Sequence, residues 1–203
     1  MAEHLEIEQK FEVDQDFRRP DFGTISGGVT AAAPVTYHLA ATYFDTPDAR
    51  LAAAKITLRR RTGGADEGWH LKLPVAGDTR LELREPLSDE LPEPLAARVA
   101  EVTGGVRLVP IASLDTERTV VTLHANGAVV AEIADDVVTA RRLPGAAADG
   151  EARNDRAALR WREIEVEVPQ PCPPVQQAAA KLLTEAGARP ARSSFKLAHV
   201  LNS

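Results

Sequence analysis

Cysteine, aromatic residues and long apolar runs are all scarce in this chain of 203 residues. The single cysteine, Cys172, cannot form an internal disulfide, and disulfides are rare in the reducing cytosol. No segment approaches the roughly 18 consecutive apolar residues that a membrane-spanning helix needs. The amino terminus lacks the basic and apolar regions of a signal peptide. We therefore expect a cytoplasmic protein without a membrane partner.

An excess of positive charge is also missing. The chain has 24 basic and 30 acidic residues, which gives a net charge of −6, whereas general nucleic-acid binders are usually basic. We therefore expect no nucleic-acid partner, and any anionic ligand must be met by charges that are concentrated locally. Phosphate-binding loops of the Walker type and the CxxC and HExxH metal motifs do not occur in the sequence.

What the sequence has instead is charge that alternates with apolar residues at the period of a β-strand. In the segment 6–10, the side chains of Glu6, Glu8 and Lys10 fall on one face of such a strand. Burying two carboxylates and an ammonium is costly unless the face is hydrated or holds ions. This face is therefore either exposed to solvent or a functional site.

The same alternation recurs in further segments, which makes one solvated strand a poor explanation. Charges of both signs on one face, with apolar residues on the other, predict a β-barrel with a polar lumen and an outer face that packs against helices. The charged faces carry Arg59 and Arg61, His70 and Lys72, Arg80 and Glu82, two acids within residues 132–136, and Glu163, Glu165 and Glu167.

Strand and helix signals are sufficient for such a barrel. Eight strands can close one, and Gly104 and Gly187 mark the ends of two helices. We predict one domain of the α+β class over residues 1–203, with a mobile loop at 143–155. The predicted strands cover residues 3–12, 36–44, 55–62, 69–74, 80–86, 114–124, 128–139 and 160–168, and the predicted helices cover 92–102, 175–186 and a last helix that Ser194 caps.

Six short motifs follow one another along nearly the whole chain. They are EIEQKF at 6–11, YFDTPD at 43–48, LRRR at 58–61, WHLK at 69–72, EIEVE at 163–167 and SFK at 194–196. Together they resemble the CYTH domain, whose superfamily is also called the triphosphate tunnel metalloenzymes. The resemblance implies an eight-stranded antiparallel tunnel that binds triphosphates with a divalent metal. It also implies an activity like that of inorganic triphosphatases, thiamine triphosphatases or class IV adenylate cyclases.

The resemblance further implies roles for individual side chains. Arg and Lys suit phosphate oxygens, and hard cations such as Mg²⁺ and Mn²⁺ prefer carboxylate oxygens. Asp136 is preferred to Asp135 on strand register, and a slip of one residue would exchange them. The implied phosphate-binding residues are Lys10, Arg59, Arg61, Lys72, Arg80, Arg118 and Lys196. The implied metal ligands are Glu6, Glu8, Asp136, Glu165 and Glu167, and the implied catalytic residues are Glu6, Glu8, Lys10 and Glu165.

These roles predict a metal-dependent triphosphatase that releases orthophosphate by attack of metal-activated water. Its expected substrate is inorganic tripolyphosphate or another small compound with a terminal triphosphate. An adenylate cyclase of the same superfamily is an alternative, but the aromatic content of 4% offers few stacking partners for adenine. A non-catalytic polyphosphate-binding module is a third hypothesis, although anion binding gains nothing from five carboxylates. The sequence leaves the oligomeric state open.

Several other polar residues have simpler interpretations. We expect His70 to be packed or hydrogen-bonded rather than to act as a general base. Arg60 and Arg84 are expected at the surface, and Glu163 is expected to be exposed or ion-paired. Asp45 is expected to form a turn before Pro47.

Overall fold

A computed structural model of the chain describes residues 2–76, 79–146, 157–191 and 195–201. The loop predicted at 143–155 lies largely outside these residues, and so does Ser194. The strands are β1 (Ala2–Val13), β2 (Val29–Ala31), β3 (Val35–Asp45), β4 (Thr57–Thr62), β5 (Gly68–Ala76), β6 (Thr79–Glu85), β7 (Val109–Ala125), β8 (Ala128–Arg142), β9 (Leu159–Val168) and β10 (Arg189–Pro190). The helices are α1 (Arg50–Ala53), α2 (Glu93–Thr103), α3 (Pro173–Glu185) and α4 (Leu197–Leu201).

Eight of these strands close into a barrel. Their order around the ring is β1-β6-β5-β4-β3-β7-β8-β9, and the ring closes because residues 162–168 of β9 pair with residues 7–13 of β1. Every neighbouring pair is antiparallel. The short strands β2 and β10 pair with β7 and β1 beside the ring. The predicted α+β class and the eight-stranded antiparallel barrel are confirmed.

Each predicted strand overlaps one strand of the barrel, but β7 and β8 are longer than predicted. They form a hairpin of 17 and 15 residues. The short elements β2, β10 and α1 were not predicted. They have three, two and four residues, and elements of that length are too short to show a hydrophobic period.

Apolar side chains on the outer faces of the strands pack against the helices. Leu58, Leu71 and Leu83 of β4, β5 and β6 contact Leu95 and Val99 of α2. Full burial of such a side chain stabilises the fold by about 1.5–3 kcal/mol. A second cluster packs α3 on the outer faces of β1, β8 and β9; it includes Phe11, Ile133, Ile164, Val166, Val175, Ala179 and Leu183.

The helices of the described part of the chain are short. The longest is α3, with 13 residues. None of the helices in the ranges given above is long and apolar enough to cross a membrane.

The helix α4 lies at one end of the barrel, which we call the upper end. There β3 ends and β7 and β9 begin, as their antiparallel pairing requires. Leu197 and Val200 of α4 pack with Leu114, Val138 and Ala140 in a third apolar cluster. At the opposite, lower end lie the start of β1, the β4–β5 loop and the β7–β8 turn.

Asp45 anchors the connection from β3 to α1. Its carboxylate accepts hydrogen bonds from the backbone N–H groups of Thr46 at 2.7 Å, Leu51 at 2.8 Å and Ala52 at 2.9 Å. Asp45 is 1% exposed, so these three donors have little access to water. Asp45, the first acid of the YFDTPD segment, therefore caps a buried turn, as expected for a structural residue.

Replacing Asp45 by Ala should leave buried N–H groups without an acceptor. We expect the free energy of unfolding to fall by about 3 kcal/mol, because each unpaired buried donor costs roughly 1–3 kcal/mol. Urea unfolding followed by circular dichroism measures the change. The matched control is Asp48→Ala, whose exposed carboxylate contacts Arg50 and should contribute less than about 0.5 kcal/mol. Equal losses in the two variants would contradict the capping role.

Candidate functional site

The side chains on the inner faces of the strands form one charged cavity in the barrel. This alternation follows directly from strand geometry, since neighbouring residues point to opposite faces of a sheet. All seven of the predicted phosphate-binding residues line the cavity: Lys10, Arg59, Arg61, Lys72, Arg80, Arg118 and Lys196. Of the predicted metal ligands, Glu6, Glu8, Glu165 and Glu167 line it as well, and Asp136 contacts Arg118 and Lys196.

Carboxylates are concentrated on the adjoining strands β8, β9 and β1. Oxygen atoms of Asp136, Glu163 and Glu165 lie within 4.8 Å of one another, and all three residues are buried. Across the β1–β9 seam, Glu8 is directly opposite Glu167. A group of carboxylates this close must be compensated by cations, because burying unpaired negative charge is costly.

Three cations supply that compensation. Lys196 Nζ lies 2.5 Å from Glu165 Oε1, 2.6 Å from Glu163 Oε1 and 2.9 Å from Asp136 Oδ2. Lys10 contacts Glu165 and lies 3.1 Å from Glu8 Oε1. Arg118 donates two hydrogen bonds to Asp136, at 2.8 Å and 2.6 Å, and one to Glu165 at 2.6 Å. We call Asp136, Glu163 and Glu165 the acidic cluster.

The pKa values of the lumen carboxylates differ with the number of cations that contact each one. Burial alone would raise the pKa of Glu165, but Lys10 and Lys196 outweigh it and hold the pKa well below its usual range. Burial raises the pKa of Glu8, and the single close cation Lys10 does not offset it fully. Burial and the repulsion of Glu6 raise the pKa of Glu167. The lumen therefore holds both firmly ionised carboxylates and carboxylates that bind a proton more readily.

The strand β4 carries cations without a matching set of carboxylates. It lies four strands from β9 in the ring of eight, so its inner face is across the lumen from the acids. Arg59 donates to the Tyr43 hydroxyl at 3.2 Å, and Arg61 is paired with Asp66. Among the described residues, the buried Nε atoms of both arginines have no hydrogen-bond acceptor. Burial and the neighbouring Arg59 lower the pKa of Arg61 to about 10.

Glu82 is the centre of a second network, on β5 and β6. It is fully buried, and its carboxylate lies 2.9 Å from His70 Nδ1, 3.7 Å from Lys72 Nζ and 2.5 Å from Arg84 Nε. Lys72 also contacts Glu6. Burial alone would raise the pKa of Glu82, but the charges of Lys72 and Arg59 and the hydrogen bond with His70 lower it.

Arg80 is held by backbone carbonyl groups rather than by a carboxylate. Its Nη2 donates to the carbonyl oxygen of Lys55 at 2.9 Å and to that of Lys72 at 3.4 Å. Its guanidinium also lies over the ring of Phe195, 5.7 Å from the centroid. Arg80 therefore presents charge to the cavity that is not cancelled by these contacts.

For several other residues, the alternation of side chains along the strand explains whether they face the lumen or the outside of the barrel. Asp136 faces the lumen, whereas Asp135 faces outward and accepts hydrogen bonds from Arg162 at 2.9 Å. Arg60 also faces outward and donates to the Ser88 carbonyl oxygen at 2.8 Å. His70 is buried and hydrogen-bonded, as expected.

Seven residues of the cavity or its acidic cluster were not among the predicted site residues: Tyr43, Thr57, Asp66, Glu82, Arg84, Glu163 and Phe195. Glu163 is 3% exposed and ion-paired, and it shares the face of Glu165 two residues away. Arg84 lines the cavity beside Glu82 and is not confined to the outer surface, so that expectation was wrong. The ion pair of Glu163 agrees with the expectation from sequence, which had already placed it on the charged face of Glu165. Arg84 continues the period of Arg80 and Glu82 and could have been found by extending it to the strand end. Tyr43 and Asp66 also line the cavity, and no charge pattern marks them.

Replacing Glu82 by Gln should destabilise the barrel strongly. The change leaves Lys72, Arg59 and Arg84 facing one another without their carboxylate, so the free energy of unfolding should fall by about 3 kcal/mol. Glu101→Gln, at an exposed position on α2, is the control and should change it by less than about 0.5 kcal/mol. Similar losses in both variants would contradict the role of Glu82.

The pH dependence gives a second readout for the same variant. Because folding lowers the pKa of Glu82, its contribution is present above the usual pKa of 4.5 and is lost as the pH falls below that value. Urea unfolding at several pH values should therefore show that Glu82→Gln loses less stability on acidification than the unmodified protein. An identical acid sensitivity would contradict this assignment.

Comparison with known proteins assigns the chain to a family. Residues 4–188 match the model of the CYTH domain. Two uncharacterized proteins of Mycobacterium tuberculosis, from strains H37Rv and CDC 1551, are each 41% identical over 210 residues. The match covers 100% of this chain and 41% of each relative, so the chain spans about two-fifths of their length.

Solved structures share the fold. A candidate adenylate cyclase from Bacillus halodurans superposes with a TM-score of 0.60 at 17% identity, over 98% of both chains. A candidate adenylyl cyclase from Hippeastrum, described as having a dominant triphosphatase activity, superposes with a TM-score of 0.55 at 18% identity, over 97% of this chain and 95% of that one. At these identities the likeness establishes the fold alone. With the match over residues 4–188, the chain belongs to the CYTH domain family.

Proposed function

We propose that the protein hydrolyses the terminal phosphoanhydride bond of a triphosphate, with inorganic tripolyphosphate as the preferred substrate, in a reaction that needs Mg²⁺ or Mn²⁺. One observation carries the proposal: the lumen holds arginines with buried Nε atoms on β4, across from carboxylates on β1, β8 and β9. Anion binding alone needs only cations, and metal binding alone needs only carboxylates. A triphosphate that carries a metal ion needs both.

The carboxylates fit a hard divalent cation. Their oxygens are the ligand type that Mg²⁺ and Mn²⁺ prefer, and three side chains of the acidic cluster can converge on one point. In addition, Glu6 Oε2 is buried and has no hydrogen-bond donor among the described residues. When bound, the metal would neutralise phosphate oxygens and lower the pKa of a water molecule. The proposed ligands are Glu6, Glu8, Asp136, Glu165 and Glu167, with Glu163 added from the geometry.

The cations of the lumen differ in whether they are already paired with carboxylates. Arg59 and Arg61 retain buried donors without an acceptor, so they can bind phosphate oxygens without giving up a hydrogen bond at Nε. Lys10, Arg118 and Lys196 are paired with carboxylates and would share their donors with the incoming phosphate. All of them would neutralise charge that develops on the transferred phosphoryl group and on the leaving phosphate.

Proton transfer can be assigned to Glu8. Its ionised carboxylate has two oxygens, so one can bind the metal while the other accepts the proton that the attacking water loses. Glu165 is held ionised by Lys10 and Lys196, so its role is to keep those cations and the acidic cluster in place. No covalent nucleophile is needed, because water is the attacking group.

Product analysis tests the activity directly. Purified protein should release orthophosphate from tripolyphosphate in the presence of Mg²⁺ or Mn²⁺, and ATP and thiamine triphosphate should be poorer substrates. Glu165→Gln should lower kcat by about 100-fold or more, because it removes charge that compensates three cations. Calorimetric titration with Mn²⁺ should show weaker binding in that variant. The control is Glu185→Gln, at an exposed position on α3.

Two outcomes would contradict the proposal. Cyclic AMP and pyrophosphate formed from ATP would identify a cyclase instead. Tight binding of tripolyphosphate without any product would identify a non-catalytic binding protein.

Neighbouring arginines on β4 provide a matched test of phosphate binding. Arg59→Gln should raise KM for tripolyphosphate by about 10-fold or more, because a hydrogen bond to a charged group contributes roughly 1.5–3 kcal/mol. Arg60→Gln changes the next residue, whose side chain is on the outer face, and should leave KM within about twofold. Steady-state kinetics with both variants measure the difference. Equal effects would contradict a lumen-specific role.

A further inference from the structure

We propose that the lumen is a tunnel with one blind end, so that the protein takes linear phosphate chains by their terminal phosphate and releases the shortened chain after every cleavage. The inference rests on the proposed triphosphatase function. It extends the substrate class to polyphosphates longer than three phosphates, provided that they have a free end.

The upper end of the lumen is closed by an apolar plug. Leu197 and Val200 of α4 are 1% and 0% exposed and pack with Tyr43, Leu114 and Val138. His199 of the same helix stacks on Trp161 of β9, with ring centroids 4.7 Å apart. A phosphate chain cannot pass through this cluster, because it would lose its hydration without gaining cations or hydrogen-bond donors.

The lower end of the lumen is accessible to solvent. There the side chains of Arg84, Glu167 and Asp66 are 35%, 30% and 39% exposed. Near the plug, by contrast, Lys196 and Asp136 are 9% and 0% exposed. Access to the cavity therefore increases from the plug to the lower end, and we infer that phosphate chains enter there.

The chemistry of the lumen changes along the same direction. The acidic cluster lies near the plug, where Lys196 contacts all three of its members. Glu167 is four residues beyond Glu163 along β9, which corresponds to roughly 13 Å of strand. A chain that enters from below therefore brings its terminal phosphate to the acidic cluster, while its remaining phosphates lie toward the lower end.

This arrangement fixes the order in which products leave. The oxygen of water forms a bond to the terminal phosphorus, the bond from that phosphorus to the bridging oxygen breaks, and the bridging oxygen leaves with the shortened chain. The proton lost by water passes to a carboxylate and then to solvent. The new orthophosphate now lies between the plug and the shortened chain. It can leave only after that chain has left, so one binding event yields one cleavage.

Polyphosphate of uniform length, incubated with the protein and Mg²⁺ or Mn²⁺, tests the inference. At early times we expect orthophosphate as the only small product, together with a ladder of chains that become shorter by one phosphate at a time. A second probe is the same chain with both terminal phosphates esterified by a bulky group, which should resist cleavage by at least 100-fold. Glu165→Gln is the blank for both probes.

The outcomes separate the two proposals. Cleavage of the esterified chain, fragments of intermediate length at early times, or full degradation of some chains while others remain intact would each overturn the blind tunnel. If tripolyphosphate is hydrolysed in the same assay, the proposed function stands in those cases. If tripolyphosphate is not hydrolysed with either metal, the proposed function fails and the inference fails with it.

Discussion

Compensation of charge inside a closed barrel is the constraint on which this structure depends. The strand period sends every second side chain into the lumen, and in most strands those side chains are ionised. Removing so many charges from water is tolerable only when most of them have partners of opposite sign. Lys196 shows how tightly this requirement is met, since one ammonium contacts the whole acidic cluster. The apolar clusters outside the barrel supply the hydrophobic stabilisation that the lumen cannot.

The compensation is uneven, and the proposed binding of a metal-bound polyanion rests on this unevenness. Acids on β1, β8 and β9 already have Lys10, Arg118 and Lys196 as close ion-pair partners, whereas Arg59 on β4 donates its hydrogen bond to the neutral Tyr43 hydroxyl. A ligand that carries negative charge is therefore attracted to one wall. A cation that accompanies it is attracted to the other wall. This distribution of charge is the physical basis of the proposed binding of a metal-bound polyanion.

Local patterns in the sequence predict the barrel and most of its inner face, because both depend on a period of two residues. That period assigns Glu6, Glu8 and Lys10 to one face and separates Asp136 from Asp135. It does not reveal which charges meet, since Lys10 and Glu165 are 155 residues apart in sequence. The position of Lys196 depends on how α4 docks, and no strand period predicts that. Glu163 was underestimated because strand ends are hard to locate from sequence alone.

The seam between β1 and β9 has a consequence for how the chain acquires its structure. It joins residues 7–13 to residues 162–168, so the ring cannot close during synthesis until residue 168 has left the ribosome. Until then β1 lacks its β9 neighbour, and contacts of such long sequence separation form slowly. An exposed strand edge invites pairing with other chains, but charges on a strand oppose it. The acidic and basic side chains that later line the lumen therefore also protect the nascent chain from aggregation.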